Sequence, residues 1–160
     1  MDGGSFTPPV ESISAGTTHW DFLVPHIPDS WNIFRKKPSF VQNKIKQMWK
    51  ELVTEILERS HVPGDAPWTG GIIIYTLHFP TKRTRDIENY LTVPKFFTDA
   101  LVSFGLFPDD NWERIYPLVF FGENSPHNAF VDVAIYPMDH PHDHVQKWIQ
   151  QHLTEEMLHA

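Results

Sequence analysis

The fold is decided by GIIIYTLHF, residues Gly71–Phe79, a run of β-branched and aromatic residues. Residues of these types favour a pleated and packed conformation, so the run predicts a buried β-strand. A helix is predicted to follow over Val93–Phe104. Thr92 suits the N-cap of this helix, Pro94 its first turn, and Gly105 the position just past its end.

A second helix is predicted to begin near Ser39, because apolar residues recur every three or four positions from Val41 to Leu57. Pro63 and Gly64 close this segment. The remaining predicted elements are strands over residues 19–24, 113–121 and 130–136 and a last helix that begins near Asp139. Helices mixed with strands predict an α+β fold, in which helices pack on one face of a small mixed sheet.

The length of 160 residues favours a single domain with a sizeable core. Residues 1–18 are rich in Gly, Ser, Thr and Pro and are predicted to form a flexible tail. The predicted folded domain covers residues 19–137, and residues 138–160 are predicted to form a C-terminal helical extension.

The composition excludes several classes of protein. The chain has no Cys, which rules out a disulfide scaffold, a thiol nucleophile and Cys-ligated zinc or iron–sulfur sites. No apolar run reaches the roughly 18 residues that a membrane-spanning helix needs. Residues 1–18 lack the charged and apolar regions of a signal peptide. We therefore expect a soluble, cytoplasmic protein with no membrane partner.

The charge of the chain is unevenly distributed. The formal net charge is -7, yet residues 35–95 carry 11 basic residues against 6 acidic ones. An acidic protein can still present a basic face to phosphate groups. A charged helix surface followed by a charged turn explains the same pattern, so both interpretations stay open.

Acidic residues follow the predicted strand in the segment KRTRDIEN, residues 82–89. In an extended chain, residues i and i+2 project to the same side, so Asp86 and Glu88 are expected side by side with Ile87 pointing into the core. Two close carboxylates repel each other unless a cation or a proton lies between them. Their oxygen atoms suit Mg²⁺ or Mn²⁺.

A second acidic pair, Asp109 and Asp110, follows the helix predicted over Val93–Phe104. If this helix runs back along the sheet, it returns the pair to the neighbourhood of Asp86. Carboxylates beside several cations then predict a metal-dependent site for phosphodiesters, with Lys95 offsetting phosphate charge. Ordinary turn chemistry explains the same acidic pairs and stays open as the alternative.

The order of these motifs resembles the RusA family of Holliday-junction resolvases, which are crossover-junction endodeoxyribonucleases. The family shows a basic run, a D-x-D-N motif, a Lys, a D-A-L helix end, a Gly-containing turn and a paired D-D in this order. The corresponding segments here are Arg83–Arg85, Asp86–Asn89, Lys95, Asp99–Leu101, Gly105–Phe107 and Asp109–Asp110. The resemblance covers roughly residues 70–137, and Glu88 stands where the family has its second Asp.

The resemblance implies a RusA-like nuclease domain with an extra C-terminal helix. It implies a homodimer that needs Mg²⁺ or Mn²⁺ and nicks two opposed strands of branched DNA symmetrically. Asp86, Glu88 and Asp110 would be the catalytic carboxylates that hold the metal. Asp109 is a further candidate ligand, and Lys95 would be the catalytic Lys. The candidate DNA-binding residues are Lys82, Arg83, Arg85, Asn89, Arg35, Lys36 and Lys37.

Two other functions stay open. A RusA-like protein in which Glu88 abolishes cleavage would bind DNA junctions without cutting them. A protein-interaction module would use its acidic surface and its C-terminal helix to dock a partner protein, and its carboxylates would serve only turns.

Two further clusters have more than one interpretation. Trp31 and Phe34, beside the basic residues 35–37, form either an aromatic and basic DNA contact or a small satellite core. The segment His140–His144 holds three alternating His residues, which are common metal ligands. We interpret it as a solvated helix start, because nothing nearby implies a third ligand.

Overall fold

The structure, a computed structural model, describes residues 19–122 and 124–159. The predicted flexible tail, residues 1–18, lies outside the described residues. The elements are β1 (Trp20–Val24), α1 (Trp31–Phe34), α2 (Ser39–Arg59), β2 (Gly71–His78), the 3₁₀ turn η1 (Ile87–Tyr90), α3 (Thr92–Phe104), β3 (Ile115–Phe121), β4 (Phe130–Pro137) and α4 (Pro141–His159). All four predicted strands are confirmed with ends within two residues, and the three predicted helices are present. None of the described helices has the length and apolar character that a membrane crossing requires.

The four strands form one mixed sheet in the order β1-β4-β2-β3, in which β4 is antiparallel to both β1 and β2. β3 is parallel to β2, with Gly71 opposite Ile115 and Leu77 opposite Phe121. A parallel pair needs a crossover connection, and α3 provides it. The chain therefore leaves β2 at the His78 end, and α3 carries it back to the Gly71 end before β3 begins.

The main core lies between one face of the sheet and the helices α2 and α3. Trp49 of α2 packs on Phe97 of α3 with ring centroids 5.7 Å apart, and both side chains are buried. The buried phenol of Tyr75 shares a hydrogen bond of 2.8 Å with Thr98 Oγ1. Burial raises the pKa of Tyr75 far above its ordinary value. The phenol therefore stays neutral, and its hydrogen bond links β2 to α3.

The second face of the sheet carries a smaller core, and the start of α4 packs on it. Ile72 and Ile74 point to this face, where Val145 of α4 lies beside Tyr136. The prediction that helices pack on one face holds for α2 and α3 but is wrong for α4. The physical reason is the continuous apolar run of β2, which buries both of its faces and so needs a layer on each side.

Gly105 ends α3 with a φ of 95°, the left-handed conformation that residues with a Cβ disfavour. A Cβ added there would meet no other atom, so only backbone strain opposes Gly105→Ala. We expect this variant to lower the free energy of unfolding by about 1 to 2 kcal/mol in urea titrations. Gly64→Ala is the matched control, because a Cβ at Gly64 also meets open space but the backbone there has no positive φ. Equal effects of the two substitutions would contradict strain at Gly105.

Candidate functional site

Asp86 and Glu88 lie at a short 3₁₀ turn and not on an extended strand. Asn89 N–H donates to the Asp86 carbonyl oxygen at 3.1 Å, which closes the turn. The prediction of alternate positions along a strand is therefore wrong, because Ile87–Tyr90 coils before α3 begins. Both carboxylates are exposed, and Ile87 is half-buried rather than part of the core.

One open pocket brings the two carboxylates together with polar side chains. Asp86, Glu88 and Asn89 line it, and Asn32 and Arg85 join them. Asn32 Nδ2 donates to Asn89 Oδ1 at 2.7 Å across 57 positions of the chain. The pocket volume of about 610 Å³ is far above the roughly 30 Å³ that one water takes, so a hydrated cation and a phosphate group fit.

Arg85 folds the basic segment against the end of β2. Its guanidinium lies 4.0 Å from the centroid of the Phe79 ring. Its Nη1 donates to the carbonyl oxygens of Thr81 and Arg83, each at 3.1 Å, and its Nη2 donates to Thr81 Oγ1 at 2.6 Å. These contacts hold the loop in shape and leave the side chains of Lys82 and Arg83 exposed on it.

The short helix α1 reaches the same surface. Trp31 precedes Asn32 in α1, 37% of its surface is exposed, and Lys95 Nζ lies 5.3 Å from the centroid of its ring. Phe34 is buried and packs edge-on against Phe96 with centroids 5.1 Å apart. Phe34 therefore belongs to the core, as the satellite-core interpretation predicts. Trp31 lies on the surface, where the DNA-contact interpretation needs it.

A hydrogen bond ties α3 to the loop that carries α1. Thr92 does not cap α3 as predicted: it begins the helix, and its hydroxyl donates to the Asp29 carbonyl oxygen at 2.9 Å. In the basic run after α1, Lys37 Nζ lies 3.9 Å from the Asp29 carboxylate. Arg35 and Lys36 are exposed, so they are the cations of this run that a phosphate backbone can reach.

Asp110 lies outside the pocket that Asp86 and Glu88 line. It lines a groove between α2 and α3 with Asp99, Lys46 and Lys50. The prediction that α3 returns Asp110 to Asp86 is therefore wrong for the pocket itself, because the chain after α3 places Asp110 against α2 and beside Asp99.

Asp109 stabilises the turn after α3. Its Oδ1 accepts a hydrogen bond from the Asp110 N–H at 2.8 Å, and its Oδ2 accepts one from Asn111 Nδ2 at 2.9 Å. The bond from the Asp110 backbone, followed by that from Asn111, lowers the pKa of Asp109 below its ordinary value. Both carboxylate oxygens are thus engaged within the turn.

The metal ligands predicted from the sequence do not form one cluster. Within residues 19–122 and 124–159, no three His, Asp or Glu side chains come together in an arrangement that could hold a metal ion. The pocket holds the pair Asp86 and Glu88, and Asp110 is elsewhere. In the segment His140–His144, which spans the start of α4, His142 packs edge-on against Trp112 with centroids 4.7 Å apart.

Comparison with known proteins assigns no family to the chain. No protein-family model matches it, and no curated protein matches it. The resemblance to RusA resolvases therefore rests on the order of the motifs, and the site is assigned from its own geometry.

Asn32 and Asp99 are among the pocket residues that sequence reasoning did not assign to a site. Asn32 contacts Asn89 over 57 positions, so no local pattern indicates the contact. Asp99 did have a signal, because it stands four residues after Lys95 on a predicted helix. This spacing places two side chains on one face of a helix.

The pKa of Asp99 depends on the charge of the neighbouring Asp110. Burial raises the pKa of Asp99 above its ordinary value, and the negative charge of Asp110 raises it further. The carboxyl group of Asp99 therefore keeps its proton to a higher pH in the folded protein than in the unfolded chain. The contribution of Asp99 to stability is present at low pH and is lost as the pH rises through its raised pKa.

We expect Asp110→Asn to lower the pKa of Asp99, because the substitution removes the neighbouring negative charge. An NMR titration of the Asp99 carboxyl carbon measures this pKa directly. Asp109→Asn is the matched control: it retains the acceptor for the Asp110 N–H, and Asp109 does not act on Asp99. An Asp99 pKa that Asp110→Asn leaves unchanged would contradict the proximity of the two carboxylates.

Proposed function

We propose that this protein is a divalent-metal-dependent endonuclease of the RusA type that nicks branched DNA, four-way junctions included. The observation that carries the proposal is the open pocket in which Asp86 and Glu88 lie exposed beside the amides of Asn32 and Asn89. Carboxylates flanked by loops with exposed cations are the groups that metal-dependent hydrolysis of a phosphodiester needs. The order of the RusA-like motifs along the chain supports the same function.

The donor set of the pocket fits a magnesium or manganese ion. Mg²⁺ is commonly held by one or two carboxylates while it keeps several of its waters. Asp86 and Glu88 are exposed in one pocket and provide ligands of that type and number. These two residues would hold the ion, which when bound supplies an activated water and stabilises the charge that develops on the phosphate.

The chain's own residues would position the DNA. The hydrogen bond from Asn32 to Asn89 fixes two amides at the pocket, and the second amide N–H of Asn32 would donate to a phosphate oxygen. Lys82, Arg83 and Lys95 are exposed and would contact the phosphates on either side. Each such contact releases counterions from the DNA, so binding would weaken steeply as the salt concentration rises.

A symmetric homodimer belongs to the proposal for two reasons. A four-way junction presents two equivalent scissile phosphates, which call for two sites related by a two-fold axis. Within one chain, Asp110 lines the groove between α2 and α3 and not the pocket of Asp86 and Glu88. A third carboxylate would therefore reach the pocket from the second protomer.

We expect Asp86→Asn to lower metal-dependent nicking of a four-way junction by at least about a hundredfold, because it removes a metal ligand at nearly constant size. The assay follows an end-labelled junction and a matching linear duplex with Mg²⁺, Mn²⁺ or chelator. Asp65→Asn is the matched control, since it also removes one exposed carboxylate but lies at the Gly70 end of the sheet.

Two results of this assay would count against the proposal. Nicking by Asp86→Asn at the rate of Asp65→Asn would remove Asp86 from the catalytic site. Tight binding of the junction by the unmodified protein, without nicks in either metal, would identify a junction binder that does not cut.

Mixed dimers test whether one pocket draws on two chains. We expect Asp86→Asn and Asp110→Asn to be inactive alone and to regain nicking when co-refolded, because a mixed dimer then contains one intact set of carboxylates. Dimers that carry one tagged copy of each variant are purified on both tags before the assay. Inactive mixed dimers would show that Asp110 of the second protomer does not complete the pocket.

A further inference from the structure

Trp31 is a large aromatic side chain that the fold leaves partly in solvent. The exposed fraction of Trp31 is 37%, whereas that of Phe34, three residues later, is 1%. The two rings lie 5.8 Å apart with a tilt of 38°. The indole therefore rests on a buried aromatic residue while more than a third of its surface meets solvent, and Phe34 already supplies the contact with the core.

The surroundings of Trp31 are basic. Lys95 Nζ lies 5.3 Å from the centroid of the indole, and Arg35 and Lys36 follow α1 with exposed side chains. An aromatic surface flanked by cations attracts a ligand that is both planar and anionic. A nucleotide whose base is unpaired has both properties, because its base is free to stack and its phosphate is charged.

Two hydrogen bonds fix Trp31 relative to the carboxylate pocket. The next residue, Asn32, donates to Asn89 at 2.7 Å, and Thr92 donates to the Asp29 carbonyl oxygen at 2.9 Å. Together they tie α1 to both η1 and the start of α3. Trp31 is thus held one residue away from the rim of the pocket that Asp86 and Glu88 line.

We propose that Trp31 is a stacking platform for one unpaired nucleobase of the DNA substrate. This inference rests on the proposed function, because it places the base beside a phosphate held at Asp86 and Glu88. Stacking on an aromatic side chain tolerates any base, since every base has a π-face. The substrate is therefore branched DNA that exposes an unpaired nucleotide at the branch, in preference to DNA whose bases are all paired.

The test measures binding to two DNAs that differ in one nucleotide. One is a three-way junction with a single unpaired 2-aminopurine at the branch, and the other is the same junction fully paired. Ca²⁺ replaces Mg²⁺, so that a divalent cation still occupies the carboxylate pocket. Binding is then followed on DNA that is not cut. Anisotropy reports the affinity, and the fluorescence of 2-aminopurine falls when that base stacks on a ring.

We expect Trp31→Ala to lower the affinity for the junction with the unpaired base by about 5- to 150-fold and to remove the quenching. Its affinity for the fully paired junction is expected to change by less than about twofold. Trp31→Phe keeps an aromatic ring and is expected to retain most of the affinity and the quenching. Trp112→Ala is the matched control, because Trp112 is 63% exposed but packs against His142 of α4.

Each contrary result has a distinct meaning. If the unmodified protein binds branched DNA but Trp31→Ala binds as tightly as Trp112→Ala, the platform is overturned and the proposed function stands. If Trp31→Phe fails to restore binding, the loss belongs to altered packing at Phe34, and the platform is again overturned. If the unmodified protein binds no branched DNA, the proposed function fails and the platform fails with it.

Discussion

The parallel pairing of β2 with β3 is the constraint on which the rest of the structure depends. Two neighbouring parallel strands cannot be joined by a tight turn, so the chain between His78 and Ile115 must contain a crossover, and α3 provides it. The crossover separates the two acidic segments: Asp86 and Glu88 follow β2, whereas Asp110 precedes β3 and lines the groove between α2 and α3. In the described part of one chain, the three carboxylates therefore do not line one pocket.

The repetitive parts of this fold are predictable from the sequence because their signals are periodic or compositional. The apolar run of Gly71–His78 indicates a buried strand, and Gly105 marks the end of α3 because its positive φ disfavours other residues. The 3₁₀ turn at Ile87–Tyr90 has only four residues, too few to leave a periodic pattern. The helix α1 also has only four residues, so no periodic pattern in the sequence predicts it. The side of the sheet that α4 covers was not predictable either, because it depends on which face α2 and α3 leave open.

The residues of the candidate site also differ in whether a local sequence pattern can reveal them. Asp86 and Glu88 are neighbours in the sequence, and they remain neighbours in one pocket. Asn32 could not be assigned to them, because its hydrogen-bond partner lies 57 positions away. Trp31 and Phe34 could not be told apart either. Both are aromatic residues of one four-residue helix, and only the packing of that helix against α3 decides which of them is buried.

The distribution of charge would couple the binding of a metal ion to the binding of the scissile phosphate at the proposed site. The chain has a net charge of -7, and Asp86 and Glu88 place negative charge where the scissile phosphate would lie. Carboxylates repel a phosphate until a divalent cation offsets their negative charge. Lys82, Arg83 and Lys95 are exposed and would attract the backbone of the flanking arms without that cation. Metal and scissile phosphate would thus bind with positive coupling, and by thermodynamic reciprocity each would raise the affinity of the other.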